Sequence, residues 1–276
     1  MSWRLRTRAL PLDSPLLMGI VNATPDSFSD GGLFGSPQEA VDHARQLVAD
    51  GADLVDVGGE STRPGASPVS VDEELDRVIP IVEALNDEGV IVSIDTSKPT
   101  VAVEALKAGA EIVNDVTGFR DLAMREVAVE WQPGVVIMHM AGTPRTMQDN
   151  PDYTDVLAEV GGYLIAQAGL LEAAGLSPER ICIDPGLGFG KTTEHNLELL
   201  SGTGVLAGLG YPLMVGASRK RFISALLGVE SLEERDFATA VLSAVVTHLG
   251  ANVLRVHNVR LSRQAALLSS AIVADT

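Results

Sequence analysis

The chain has 276 residues, 46% hydrophobic and 21% charged, with a formal net charge of −17 and a single cysteine, Cys182. That is material for one large domain or two small ones; the acidity disfavours nucleic acid as a partner, and one cysteine excludes an intrachain disulfide or a cysteine-based metal cluster. No segment is expected to reach the length of an apolar membrane span, and the arginine-bearing start MSWRLRTRALPLDSP lacks the apolar core of a secretory signal, so the expectation is a cytoplasmic protein with no membrane partner.

Residues 1–15 read as a short extension that caps or skirts the floor of the domain behind it. From residue 16 onward, short apolar runs alternate with longer amphipathic segments. The runs cover 16–22, 53–59, 91–96, 112–116, 135–140, 181–184, 213–218 and 253–258. Between them lie helical patterns such as PQEAVDHARQLVADG, VDEELDRVIPIVEALNDEG, PTVAVEALKAGA and DFATAVLSAVVTHLGA. Gly51, Gly89, Gly109 and Gly250 stand where a helix needs its C′ residue. The runs are apolar almost throughout, as strands are when both faces are buried. Eight β-then-α units predict a single α/β domain over 1–276, a (β/α)8 TIM barrel occupying about 16–276. A doubly wound sheet is the alternative, but its glycine fingerprint is missing from the first turn, Asn22-Ala23-Thr24-Pro25-Asp26-Ser27. No polar linker or low-complexity segment divides the chain.

Nearly every run closes on a polar side chain: Asn22, then Glu60 just past the second run, Asp95, Asn114-Asp115, His139, Asp184, Ser218, and Arg255 with His257. A barrel gathers such ends on one face, where active sites lie. Each residue alone reads as a helix cap or turn former; the set reads as a site, because clustered buried carboxylates need a ligand or cation to answer them. Asp95, Asn114 and Asp184 suit a flat heterocycle with a guanidine-like edge. Arg63, Arg219, Lys220, Arg255 and His257 suit phosphate or diphosphate. The stretch ICIDPGLGFGKTTEHN over 181–196 is not a P-loop, since Pro185 stands where the first glycine is required. Lys191 within it reads as a surface charge at the start of the next helix. His139 reads as a structural histidine, and His43, His195 and His248 fall in helical patterns without an assigned role. No HExxH or paired Cys/His spacing predicts a zinc site.

The motifs MGIVNATPDSFSDGG, VDVGGESTRPGA, SIDTSKP, IVNDVTG, ICIDPGLGFGK, GASRKRF and LRVHNV, spread from Met18 to Asn258, resemble those of the dihydropteroate synthase family. The resemblance implies a (β/α)8 transferase of folate biosynthesis and a sulfonamide target. Such an enzyme joins 6-hydroxymethyl-7,8-dihydropterin diphosphate to p-aminobenzoate by an SN1-like substitution, giving 7,8-dihydropteroate and diphosphate. It further implies that Asp95, Asn114, Met138, Asp184 and Lys220 hold the pterin. Asn22, Arg63, Ser218, Arg219, Arg255 and His257 would hold the diphosphate, with Asn22 on Mg²⁺. Phe28, Thr62, Arg63, Pro64, Phe189, Lys220 and Arg221 would line the p-aminobenzoate pocket or its closing loops. Catalysis would rest on Asp95, Asp184, Lys220, Arg255 and His257, without a general base, because the arylamine is already nucleophilic. The family implies a homodimer, with AVLSAVVTHLG and QAALLSSAIV as apolar stretches that could supply an interface. Arg221 departs from the serine of many relatives and bears on the aminobenzoate contacts. Two alternatives remain at this level: a methyltetrahydrofolate-dependent corrinoid methyltransferase, and a non-catalytic pterin-binding protein.

Overall fold

The computed structural model describes residues 1–24, 36–61, 67–143, 146–148 and 151–273. A hairpin, β1 (Ser2–Arg4) and β2 (Ala9–Pro11), precedes eight strands: β3 (Leu16–Asn22), β4 (Leu54–Gly58), β5 (Val92–Asp95), β6 (Ile112–Asp115), β7 (Gly134–Met138), β8 (Ile181–Asp184), β9 (Met214–Val215) and β10 (Val253–Val256). All eight pair in parallel, in the order β8-β7-β6-β5-β4-β3-β10-β9. A parallel bridge between Ile183 and Leu213 joins β8 to β9 and closes the cylinder. The strand expected over 213–218 is thus only two residues long. Beyond Val215 the chain turns at Ser218–Lys220, with Arg219 in the left-handed region at φ 57°.

Period-two alternation explains both the core and the site. Outward positions such as Val55, Val57, Ile94, Val113, Val135, Ile181 and Leu254 pack under the surrounding helices. Inward positions of the lower barrel, Leu16, Met18, Leu54, Ile112, Val136, Cys182, Met214 and Val253, form a second apolar cluster with Trp3 and Leu5 of the N-terminal segment. The extension therefore plugs the floor. Trp3 is fully buried and donates its indole N–H to Arg180 O at 2.9 Å. Burial on this scale contributes about 3–5 kcal/mol.

The helices are α1 (Pro37–Ala49), α2 (Val71–Asp87), α3 (Pro99–Lys107), α4 (Leu122–Trp131), α5 (Val156–Ala174), α6 (Thr193–Ser201), α7 (Thr203–Ala207), α8 (Arg221–Leu227), α9 (Leu232–His248) and α10 (Val259–Val273). Ser36, Ser70, Asp155 and Ser231 cap α1, α2, α5 and α9 through side-chain acceptors, satisfying amides that the helix leaves open. The glycines expected to end helices, Gly51, Gly89, Gly109 and Gly250, all have positive φ. One sequence expectation is corrected: α5 spans 19 residues at a mean hydropathy of 1.2, long and apolar enough for a membrane span. Val156, Val160, Leu164, Ala168 and Leu171 on one face are buried in the barrel's outer layer, while Ile165 and Leu170 are exposed.

Candidate active site

Above the apolar floor the same alternation turns polar. Ladder pairing sets Asp56 beside Ser93, Gly58 beside Asp95, Asp95 beside Asn114, and Met138 beside Asp184. Of these inward positions Asp95, Asn114, Met138 and Asp184 line one cavity, together with Phe189, Gly216, Lys220 and Arg255. Asp184 and Arg255 therefore share one cavity, the arrangement on which the sequence reading depends. Gly216 lies between them, where a Cβ would stand 3.8 Å from Arg255 Cβ and 3.9 Å from Asp184 Oδ2, in ordinary contact with both.

Arg255 lies deeper than expected. Its Nε donates to Asp56 Oδ2 at 2.6 Å and its Nη2 to Asp95 Oδ2 at 2.7 Å. Burial works against the guanidinium charge, but the two carboxylates outweigh it and raise the pKa. Asp56 is the residue sequence reasoning missed. It is fully buried, and it also accepts from Asn114 Nδ2 at 3.0 Å, which leaves Asn114 Oδ1 for other partners. The available signal was its place two residues after inward Leu54, in a strand apolar at every other position.

Asp184 ends β8 and accepts from Gly186 N at 2.7 Å; burial raises its pKa, opposed by that amide and then by Lys220 and Arg255. Lys220 Nζ lies 4.1 Å from the centre of the Phe189 ring, a cation–π contact. Its burial and the nearby Arg255 lower its pKa to about 8. Phe189 also packs on Val116, Met138, Met140 and Met147, an apolar shelf beside the polar floor. For Asp95, burial and then the Asp56 charge raise the pKa to about 7, against Arg255.

At the rim, Ser218 Oγ lies 2.9 Å from His257 Nδ1 and accepts from His257 N at 3.1 Å. Either atom of that pair can donate, as the imidazole tautomer sets. Arg219 does not join the rim: its fork holds both oxygens of Asp236 at 2.7 and 2.8 Å. Glu60 accepts from Val69 N at 3.1 Å and from Lys98 Nζ at 2.6 Å, tying together the ends of its loop. Asn22 ends β3, and Arg221 is exposed at the start of α8. Phe28, Thr62, Arg63 and Pro64 lie outside the described residues.

Lys191 corrects the sequence reading outright. It is 4% exposed, not a surface charge. Its Nζ lies 3.0 Å from each of Gly186 O, Phe189 O and His139 Nδ1, and 3.4 Å from His139 O. Burial lowers its pKa to about 7, with Asp184 pulling the other way. His139 is structural as expected: burial, then Lys191 and Arg120, lower it to about 3, so its neutral ring accepts. The glycines of GLGFG have φ of 66°, 79° and 64°. At Gly186 a Cβ would stand 1.9 Å from His139 O, so only glycine fits.

A parallel barrel whose carboxyl-end mouth holds carboxylates and an amide over an apolar shelf defines an enzyme for a nitrogen-rich ring. In keeping with that class, the family model for pterin binding enzymes matches residues 18–257. The chain belongs to the dihydropteroate synthase family. It is 48% identical to the dihydropteroate synthase of Escherichia coli strain K12 over 255 residues, 91% of this chain and 89% of that one. The structure of Yersinia pestis dihydropteroate synthase with a sulfonamide drug superposes with a TM-score of 0.95 at 38% identity, covering 100% of both chains. That of the Burkholderia cenocepacia dihydropteroate synthase complexed with 7,8-dihydropteroate gives 0.89 at 40% identity, covering 99% of this chain and 97% of the other.

Proposed function

We infer that this barrel condenses 6-hydroxymethyl-7,8-dihydropterin diphosphate with p-aminobenzoate, releasing diphosphate and forming 7,8-dihydropteroate. The observation that carries this reading is the shared cavity of Asp95, Asn114, Asp184, Lys220 and Arg255, with Phe189 at its edge. Asp184 and Asp95 would take the donors of the pterin's guanidine-like edge, and Asn114 Oδ1 a further N–H. Met138 would support the ring face. The rim pair Ser218 and His257 would hold the diphosphate.

Departure of diphosphate leaves a methylene cation conjugated with an electron-rich ring, so a dissociative substitution fits. The buried groups Asp56, Asp95, Asp184, Arg255 and Lys220 carry a net charge of −1 when all are ionised, which favours that cation. The arylamine nitrogen, with its ring against Phe189 and Lys220, would then attack without help from a base and shed its extra proton to water or the departing diphosphate. Mg²⁺ would sit on the side-chain oxygen of Asn22 together with diphosphate and water oxygens. One protein oxygen suits an ion that keeps its waters and binds phosphates, and no cluster of three or more His, Cys, Asp or Glu forms a cage among the described residues. The ion would offset charge on the leaving group. The test is a coupled diphosphate-release assay with the pterin diphosphate: release should depend on p-aminobenzoate. Pterin binding without turnover would favour the non-catalytic alternative.

The raised Asp95 pKa gives a signed pH effect. Its folded value, about 7, lies above the unfolded carboxylate value, so this group's share of stability falls as pH rises from about 4 to about 7. A ligand N–H needs the carboxylate, so binding 6-hydroxymethylpterin at pH 6 should release a proton, and affinity should climb toward pH 8. Calorimetry in two buffers of different ionisation enthalpy measures this. Equal affinity at both pH values with no proton release would refute the assignment.

The protein is further proposed to be a cytoplasmic homodimer. Phe237, Val241 and Val245, spaced by four along α9, are exposed beside Leu268 and Ile272 of α10. A continuous apolar stripe of this kind marks an interface. Phe237→Glu should convert the dimer to monomer in light scattering; an unchanged mass would place the contact elsewhere. The single buried cysteine suits a reducing compartment.

A further inference from the structure

We propose that Lys191 is a positioning residue for the condensation: its buried ammonium draws the loop after β8 onto the exit of β7 and so fixes the Phe189 ring against Lys220. The inference rests on the reading that p-aminobenzoate lies against Phe189 and Lys220.

Three backbone carbonyls, of Gly186, Phe189 and His139, converge on the Lys191 Nζ, with the His139 ring nitrogen as a fourth acceptor. Carbonyl dipoles aimed at one point repel one another, and only a donor between them makes the arrangement favourable. The rest of the loop is tied outward. Gly186 N donates to Asp184 Oδ1, and Gly188 N to Asn196 Oδ1, each at 2.7 Å. Gly188 O accepts from Gln148 Nε2 at 2.7 Å, and Gly190 O from Tyr153 Oη at 2.8 Å. Without the ammonium, the inward carbonyls of Gly186 and Phe189 are left in a buried hollow. Glycine linkages on either side of residues 187 and 189 can rotate to relieve them. Phe189 sits on the segment that would rotate, and its ring faces the cavity. The hollow suits an ammonium, a compact point donor; a planar guanidinium fork cannot aim its donors at one centre.

The test compares the full-length protein with Lys191→Met, which keeps the apolar stem, and with Lys191→Arg. Both variants should raise the KM for p-aminobenzoate about 10–100-fold, the scale of a small misplacement of a contact group. The Kd for the pterin diphosphate should change less than about threefold, well inside the tenfold that 1.4 kcal/mol represents. Amide exchange over residues 186–190 should accelerate while exchange in the barrel strands holds. A purely structural lysine predicts a lower melting temperature and a smaller active fraction with an unchanged KM, and that result would overturn the inference. Rescue by Arg would overturn the point-donor account. Should Lys191→Met fail to fold, Lys191→Gln, which keeps two donors, is read in the same assays. Phe189→Leu separates the two readings: if it too leaves the p-aminobenzoate KM unchanged, the arylamine placement has failed. If it alone raises that KM, Lys191 does not position the ring.

Discussion

Arg255→Ala should be the most damaging single change in the site, destabilising the fold by about 3–5 kcal/mol, the range for breaking a buried ion pair from one side. The side chains of Arg255, Asp56 and Asp95 are 19%, 0% and 14% exposed, so losing the guanidinium leaves a fully buried carboxylate without its charge partner. Asp56 is already short of partners, with Oδ1 buried and no hydrogen bond to it among the described residues. The loss has a pH signature. Removing the cation pushes the Asp95 pKa further above its unfolded value. The variant should therefore recover stability as pH falls from 8 toward 5, as protons replace the missing charge. Urea unfolding at the two pH values reads this directly. Asp56→Asn added to Arg255→Ala should restore part of the loss, the sign of coupled neighbours. Additive losses at both pH values would show that the three groups do not act as a unit.

Asp184→Asn should sharply weaken pterin binding while leaving the loop after β8 intact. The amide oxygen can still accept from Gly186 N, as Oδ1 does at 2.7 Å. The other atom becomes an NH₂ that meets the ligand's donors head-on. Removing one side of a buried charge-assisted pair costs about 2–5 kcal/mol, and at 1.4 kcal/mol per decade the affinity should fall by about 30- to 4,000-fold. Asp184→Ala should lose both the ligand contact and the Gly186 anchor, adding a stability defect that Asn lacks. Titration calorimetry with the pterin diphosphate and a thermal melt separate the two. Binding by Asp184→Asn at parental strength would remove Asp184 from the site.

The strand ends were legible because a parallel barrel writes them plainly: each apolar run stops where its side chains reach the mouth, at Asn22, Asp95, Asn114 and Asp184. Asp56 was hidden inside such a run. Its neighbours Val55 and Val57 face the helices, and only the alternation from Leu54 shows that it faces inward. Lys191 and Arg219 were misplaced for a shared reason, since each has a partner distant in sequence. Lys191 meets the His139 ring 52 positions away, and Arg219 meets Asp236 17 positions away. Local pattern placed Lys191 on a helix start, and no local pattern carries the depth of the hollow beneath it. The brevity of β9 was equally unreadable, because residues 213–218 are apolar enough for a full strand. The chain leaves the ladder at Gly216, beside the cavity.

The Trp3 plug has a consequence for access. With its floor sealed by Trp3, Leu5 and the apolar layer above them, the barrel is a well with one opening. If the arylamine lies against Phe189 and Lys220 as inferred, the ring held at Asp95 and Asp184 lies beneath it, and the sealed floor leaves the mouth as the route for both.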